Sequence, residues 1–120
     1  MALSQYIRAD LELDWEWTVR QAAMVIRRLM DLPLSPRSFW NVKLPHLPEG
    51  SADPELIFWR LDLCPLDVGF RMERDARHEN AVIAHFEGNY HGRQRDMGRD
   101  VEVCFGGRIA VTEIPLDIAP

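Results

Sequence analysis

The residues with which this chain could do chemistry are few and scattered. Its histidines are His46, His78, His85 and His91, and the most site-like grouping is His85, Glu87 and His91, with Asp96 and Asp100 close behind. Imidazole nitrogen and carboxylate oxygen together can hold a divalent transition metal. The spacing of His85 and His91, however, matches no metal-binding motif, and in a loop such side chains ordinarily face solvent. A nucleophile needs a base and an orienting group beside it, and none of Ser4, Ser35, Ser38 and Ser51 sits in a G-x-S-x-G elbow. Gly106 and Gly107 invite a phosphate-cradle reading, but neither G-x-x-x-x-G-K-S/T nor G-x-G-x-x-G is present, so the pair reads as a turn. Cys64 and Cys104 lack C-x-x-C spacing and read as small buried hydrophobes.

Composition narrows the classes further. With 120 residues, 47% hydrophobic and 28% charged, the chain is sized for one globular domain with a modest core. A net charge of −5 argues against a nucleic-acid backbone binder, which needs clustered Lys and Arg. The one basic cluster, Arg93, Arg95 and Arg99, is offset by Asp96 and Asp100. No apolar run approaches the roughly 20 residues that cross a bilayer, and no secretion signal opens the chain. The expectation is a soluble, cytoplasmic protein with no nucleic-acid or membrane partner.

These residues must be positioned by a short series of elements. Residues 3–7 have strand content but begin abruptly. Asp14 stands where a helix N-cap belongs, Glu16 lies in the first turn, and Trp15, Val19, Ala22, Ile26 and Leu29 recur at helical spacing, which predicts a helix over 15–30 with that stripe as its core face. Pro33 and Pro36 stop it. Residues 39–44 alternate as a strand, and 45–54 read as a surface connection. Ile57, Trp59, Leu61 and Leu63 predict a strand over 55–63, paired through a turn at Pro65 and Asp67 with a shorter strand over 68–72. Residues 71–80 read as solvated, 81–86 as an unassigned apolar island, and 88–98 as loop. Trp15, Trp17, Trp40 and Trp59 read as core or interface mass.

The stretch GRDVEVCFGGRIAVTEIPL, 98–116, supports two conformations. Val101, Val103 and Phe105 alternate as a strand that Gly106 and Gly107 could turn into a hairpin with Ile109, Val111 and Ile114. Alternatively Asp100 caps a single helical turn, Gly106 takes the left-handed position after it, and only 108–114 is a strand. Alternation mildly favours the hairpin.

Several stretches, in order, resemble one family. ALSQY (2–6) is similar to a strand end of the form I-A-x-S-Q. NVKLP (41–45) is similar to an N-V-N-x-P strand, and GNYHGRQRDMGRDVEVCFGGRIAVTEIPL (88–116) to a closing G-T-D-x-x-A-V-x-x-G-Y-x-S-I-T-P-L segment. The set resembles the SurE family of survival-protein phosphatases, in its cyanobacterial-type form, across almost the whole chain.

The resemblance implies the C-terminal part of a Rossmann-type α/β fold, helix plus strand, followed by an extended β-hairpin or strand segment. It also implies removal of phosphate from nucleoside monophosphates with a divalent metal, Mg or Mn, expected only for a complete family member. The family's D-D-G motif and its later serine and asparagine precede the region matched, and no D-D-G occurs here. The resemblance therefore carries no catalytic, cofactor-binding or metal-binding residue onto any position. Lys43 stands where the family usually has a second Asn, Arg99 where it has Thr, and Glu113 and the 80–86 island also depart. The family favours the cap reading of Asp100.

The expectation is one incomplete SurE-like domain over 1–120, with 1–44 the end of the α/β core and 45–120 a β extension and closing strand. Such a truncated phosphatase relative would be catalytically silent by itself. The alternative is a stand-alone module that self-associates, or pairs with a full-length SurE-like subunit, through the β extension. An independent enzyme using His85, Glu87 and His91 is the third reading.

Overall fold

The helix forms where its capping residues place it. α1 runs over Trp15–Met30; Asp14 Oδ1 accepts the Trp17 backbone N–H at 3.1 Å, and Glu16 and the Arg27–Arg28 pair suit the two ends of the helix dipole. The other elements are the strands β1 (Ala2–Gln5), β2 (Ser38–Leu44), β3 (Leu56–Phe58), β4 (Val68–Arg74), β5 (Val82–Gly88) and β6 (Ile109–Pro115), with a short helix α2 (Asp100–Phe105) before β6. This computed structural model describes all residues except 65–67, 89–91, 93–94, 96–97 and 118–120. The turn expected at Pro65 and Asp67 lies outside the described residues.

Two units are present, Met1–Leu63 with Arg95–Pro120, and Cys64–Gln94. The first is a four-stranded sheet in the order β1-β2-β6-β3, with β2 parallel to β1 and antiparallel to β6, and β3 parallel to β6. The fold is α/β, and the sheet draws on both sides of residue 44. Side chains alternate across it. Trp40, Val42 and Leu44 of β2 and Ile109 and Val111 of β6 pack under Val25 and Leu29 of α1. On the opposite face Ala110 packs with Tyr6, Val103 and Cys104, where Tyr6 and Phe105 stack at 4.4 Å. Burying each large apolar side chain here contributes about 2 kcal/mol.

The face of α1 differs from the expectation. Thr18, Gln21, Val25 and Leu29 are its buried residues, while Trp15 and Val19 are both 64% exposed and Met30 is 77% exposed. Two partners fix this rotation: the Thr18 hydroxyl donates to Gln5 Oε1 at 3.0 Å, and Gln21 Nε2 donates to Asp53 Oδ1 at 3.1 Å. Polar residues with specific partners took the core side, and the richer apolar stripe was left on a flank.

The stretch around Gly106 is helix, turn and strand. Gly107, at φ +85°, takes the left-handed position, and Gly106 does not. Gly107 N–H donates to Cys104 O and Arg108 N–H to Val103 O, the paired bonds of a Schellman ending. That ending turns the chain directly into β6. Among the described residues the hairpin expected between 55–63 and 68–72 does not form: β3 is short and pairs with β6, whereas β4 pairs with β5, which contains most of the unassigned 81–86 island.

The second unit is the β4–β5 ribbon. Phe70 pairs with Phe86, Met72 with Ala84 and Arg74 with Val82 on one face, and the intervening pairs Arg71–His85 and Glu73–Ile83 point the other way.

Candidate functional site

Asp100 is the most constrained charged group described. The backbone places it: Arg60 and Arg99 form a parallel bridge, and Asp100 N–H donates to Arg60 O at 3.0 Å, drawing the start of α2 against the end of the β3 segment. Gly98, at φ +69°, sits flat on the Trp59 indole, where a Cβ would lie 2.9 Å from a ring carbon. Asp100 is then 1% exposed; its Oδ2 accepts Lys43 Nζ at 2.6 Å and its Oδ1 accepts the Asp62 backbone N–H at 2.6 Å. Neither the cap role nor the ligand role fits. The N-cap of α2 is Arg99, and both Asp100 oxygens are committed to joining α2, β2 and the residues after β3.

Cys104 lies beside this pair, its thiol directed at Leu44 O. Burial pushes the thiol up from about 9 to about 12, against the opposing pull of the Lys43 ammonium. Cys104 is therefore no nucleophile at neutral pH, and iodoacetamide at pH 8 should label half-buried Cys64 well before it. Between these two values the unfolded chain has lost the thiol proton and the folded chain retains it, so stability falls as pH rises from about 9 to about 12. Urea titrations at pH 8.5 and 10.5 should show a larger loss for wild type than for Cys104→Ala; equal losses would refute the assignment.

A cleft of about 590 Å³ opens where β1 and β2 end, lined by Gln5, residues 12–17, Arg20 and residues from His46 to Asp53. Ligands of α/β sheets bind beyond the carboxyl ends of their strands. His46, 4% exposed, looks like the reactive group but is not free: Nδ1 accepts Arg8 N–H at 2.8 Å, which leaves Nε2 to donate to Glu12 O at 2.9 Å. It pins the 6–13 loop to the end of β2. Sequence reasoning assigned it no role, because both partners are main-chain groups with no side-chain signature. Asp14 is spent on the helix cap and Asp53 on Gln21.

The histidine grouping does not assemble among the described residues. His85 Nε2 meets Glu73 Oε2 at 2.9 Å, and Glu87 pairs with Arg71 at 3.3 Å. Asp100 belongs to the other unit, and His91 and Asp96 lie outside the described residues. No three His, Cys, Asp or Glu side chains converge as a metal site among the described residues. Among the described residues Glu87 is paired with Arg71, His85 with Glu73 and Asp100 with Lys43, so this grouping does not fit a divalent ion.

The ribbon does present a surface. Phe70, Met72, Val82 and Phe86 are each about 60% exposed on one face, with the two phenyl rings edge to face at 5.9 Å. Arg71, Glu73, His85 and Glu87 pair with one another on the other face. A two-stranded ribbon is marginal in water by itself, and this one shows solvent its apolar side.

No protein-family profile matches the chain. Two curated proteins match over 114 residues, 95% of it: a candidate 5'-nucleotidase of Nostoc sp., 39% identical, and one bearing the same name from Synechocystis sp., 35% identical. The crystal structure of the SurE protein from Aquifex aeolicus covers 98% of the chain with a TM-score of 0.61 at 15% identity. The chain has a SurE-like fold. It spans about half the length of the curated relatives it matches, 47% and 48%, and covers 46% of the solved SurE chain. The SurE-like segments are recognisable as structure: ALSQY contains β1, and NVKLP contains the end of β2, paired in parallel from Ala2–Asn41 to Gln5–Leu44. The closing segment supplies α2 and β6. No helix of the described residues is long and apolar enough to cross a membrane.

Proposed function

We propose that these 120 residues are the associating part of a SurE-like phosphatase of the 5'-nucleotidase class, silent alone, and that the β4–β5 ribbon seats its apolar face on a second SurE-like chain. The ribbon carries this reading. Its charged face is closed by its own ion pairs, while Phe70, Met72, Val82 and Phe86 form a contiguous exposed patch. Such a patch, rich in aromatic and methionine side chains, has the composition of an interface centre. The names of the curated relatives support the activity class. The missing D-D-G, and the lack of a convergent metal-ligand set among the described residues, support silence of the lone chain.

Light scattering on the purified chain, alone and mixed with the full-length Nostoc relative, tests the association. The expected result is a complex that Phe70→Asp weakens at least about tenfold, as loss of a central aromatic contact does. A strict monomer under both conditions refutes it. The chain alone, incubated with Mg²⁺ or Mn²⁺ and nucleoside monophosphates, is expected to release no phosphate; steady turnover would overturn the claim of silence.

A further inference from the structure

The end of β3 carries a group of side chains that neither the core nor the ribbon uses. Beyond Phe58 the chain leaves the sheet: Trp59 N–H still donates to Val111 O at 2.9 Å, and Arg60 then pairs with Arg99 instead of β6. Two clefts, of about 490 and 510 Å³, open along this departure, and Phe58, Trp59 and Arg60 line both. Those volumes are in the range of small-ligand sites. Trp40 and Glu113 also line the first cleft, and Arg99 the second. Trp40 and Glu113 pair near the start of β2, so this place lies at the opposite end of the sheet from the cleft beyond β1 and β2.

The arginines set it apart. Bridge partners stand directly opposite each other, and like charges so placed repel. Arg60 is exposed, Arg99 is half-buried, and no ion pair among the described residues includes either. Carboxylates are not scarce, since the chain has 19 acidic residues against 14 basic ones. Glu113 is committed elsewhere: its Oε1 accepts the Ser35 N–H at 3.0 Å and the Ser38 hydroxyl at 2.9 Å. The backbone therefore holds two arginines opposite each other, with a repulsion that a bound anion removes.

Beside them the aromatic side chains are open to solvent. Phe58 and Trp59 are 47% and 49% exposed, while Trp40, which meets Phe58 edge to face at 5.8 Å, is buried. Gly98 lies against the Trp59 indole and fixes its position. Rings held in this way offer apolar surface with little further ordering, and guanidinium groups grip carboxylate or phosphate through paired N–H donors. We propose that Phe58, Trp59, Arg60 and Arg99 form a binding site for a small planar aromatic anion, the arginines taking its charged group and the rings its flat body. The site depends neither on the ribbon nor on the activity class.

NMR titration of the 120-residue chain, read at the Trp59 indole and the Arg60 and Arg99 guanidinium signals, tests this. Naphthyl phosphate and naphthoate carry ring and anion together, inorganic phosphate the anion alone and naphthol the ring alone. The expected result is that naphthyl phosphate or naphthoate shifts these signals saturably and binds at least about tenfold more tightly than inorganic phosphate or naphthol. Arg60→Gln and Arg99→Gln should each weaken that binding at least about tenfold, with urea midpoints equal to or above wild type because the repulsion is gone. No saturable shift, or binding indifferent to both substitutions, overturns the proposal. Inorganic phosphate binding as tightly as the aromatic anions removes the role of the rings and overturns it. A lower midpoint in both variants makes the arginines supports of the fold and overturns it as well. Binding lost with Phe70→Asp but kept with Arg60→Gln places the ligand on the ribbon, and also overturns it.

Discussion

Replacing Lys43 by methionine lowers the unfolding free energy by about 3 kcal/mol, because it strands the Asp100 carboxylate in the interior without its counter-charge. The geometry sets this expectation. Asp100 is 1% exposed, and its nearest cation is the Lys43 ammonium at 2.6 Å. Methionine has nearly the length of the lysine stem, so the change removes charge with little change in packing. The Lys43→Met/Asp100→Asn double variant should recover much of the loss, since Asn keeps an acceptor for the Asp62 N–H and carries no charge. Urea midpoints at constant slope measure the cycle. A Lys43→Met midpoint within about 0.5 kcal/mol of wild type would show that the pair contributes nothing. This position is also a departure from the resemblance, which has Asn where Lys43 stands; here a lysine ties β2 to α2 across the sheet face.

Leu29→Ala costs about 3 kcal/mol, and Val19→Ala on the same helix less than about 0.5 kcal/mol. Leu29 is 2% exposed in the cluster with Val25, Trp40, Val42 and Leu44, and Val19 is 64% exposed. Both positions lie on the stripe that sequence periodicity assigned to the core. Their thermal or urea midpoints in the isolated chain therefore decide between the two rotations of α1. Similar losses at the two positions would restore the stripe as the core face; the expected gap upholds the observed one.

The ends of α1 were legible because local chemistry sets them: Asp14 caps the start, and Pro33 cannot continue the ladder. Its rotation was not, because Thr18 and Gln21 face inward for partners in Gln5 and Asp53 that only the folded chain brings near. Residues 101–105 misled for another reason. Over so short a run, alternation and a helical turn both bury Val101 and Val103, and the Gly107 conformation, not the pattern, separates them. The pairing of β3 was invisible because its partner is β6, far along the chain, while β4 was adjacent and better placed by sequence. The candidate site divided along the same line. His85 and Glu87 stood out by residue type, yet they neutralise neighbours on a ribbon face. Asp100 and His46 acquire their roles through main-chain groups that no side-chain motif announces.

The placement of β6 between β2 and β3 has a consequence for how the protein is made. β6 leaves the ribosome after the other three strands of its sheet, yet it is an interior strand between β2 and β3. Until it emerges, β2 and β3 have no strand to join them, and Trp40, Val42, Leu44 and Ile57 have only part of their cover. Closure must wait for contacts distant in sequence, which slows folding and prolongs exposure of apolar surface in the nascent chain. Ribosome-stalled chains ending before Ile109 should accordingly leave the four-stranded sheet open to protease, and chains extended well past Pro115 should protect it.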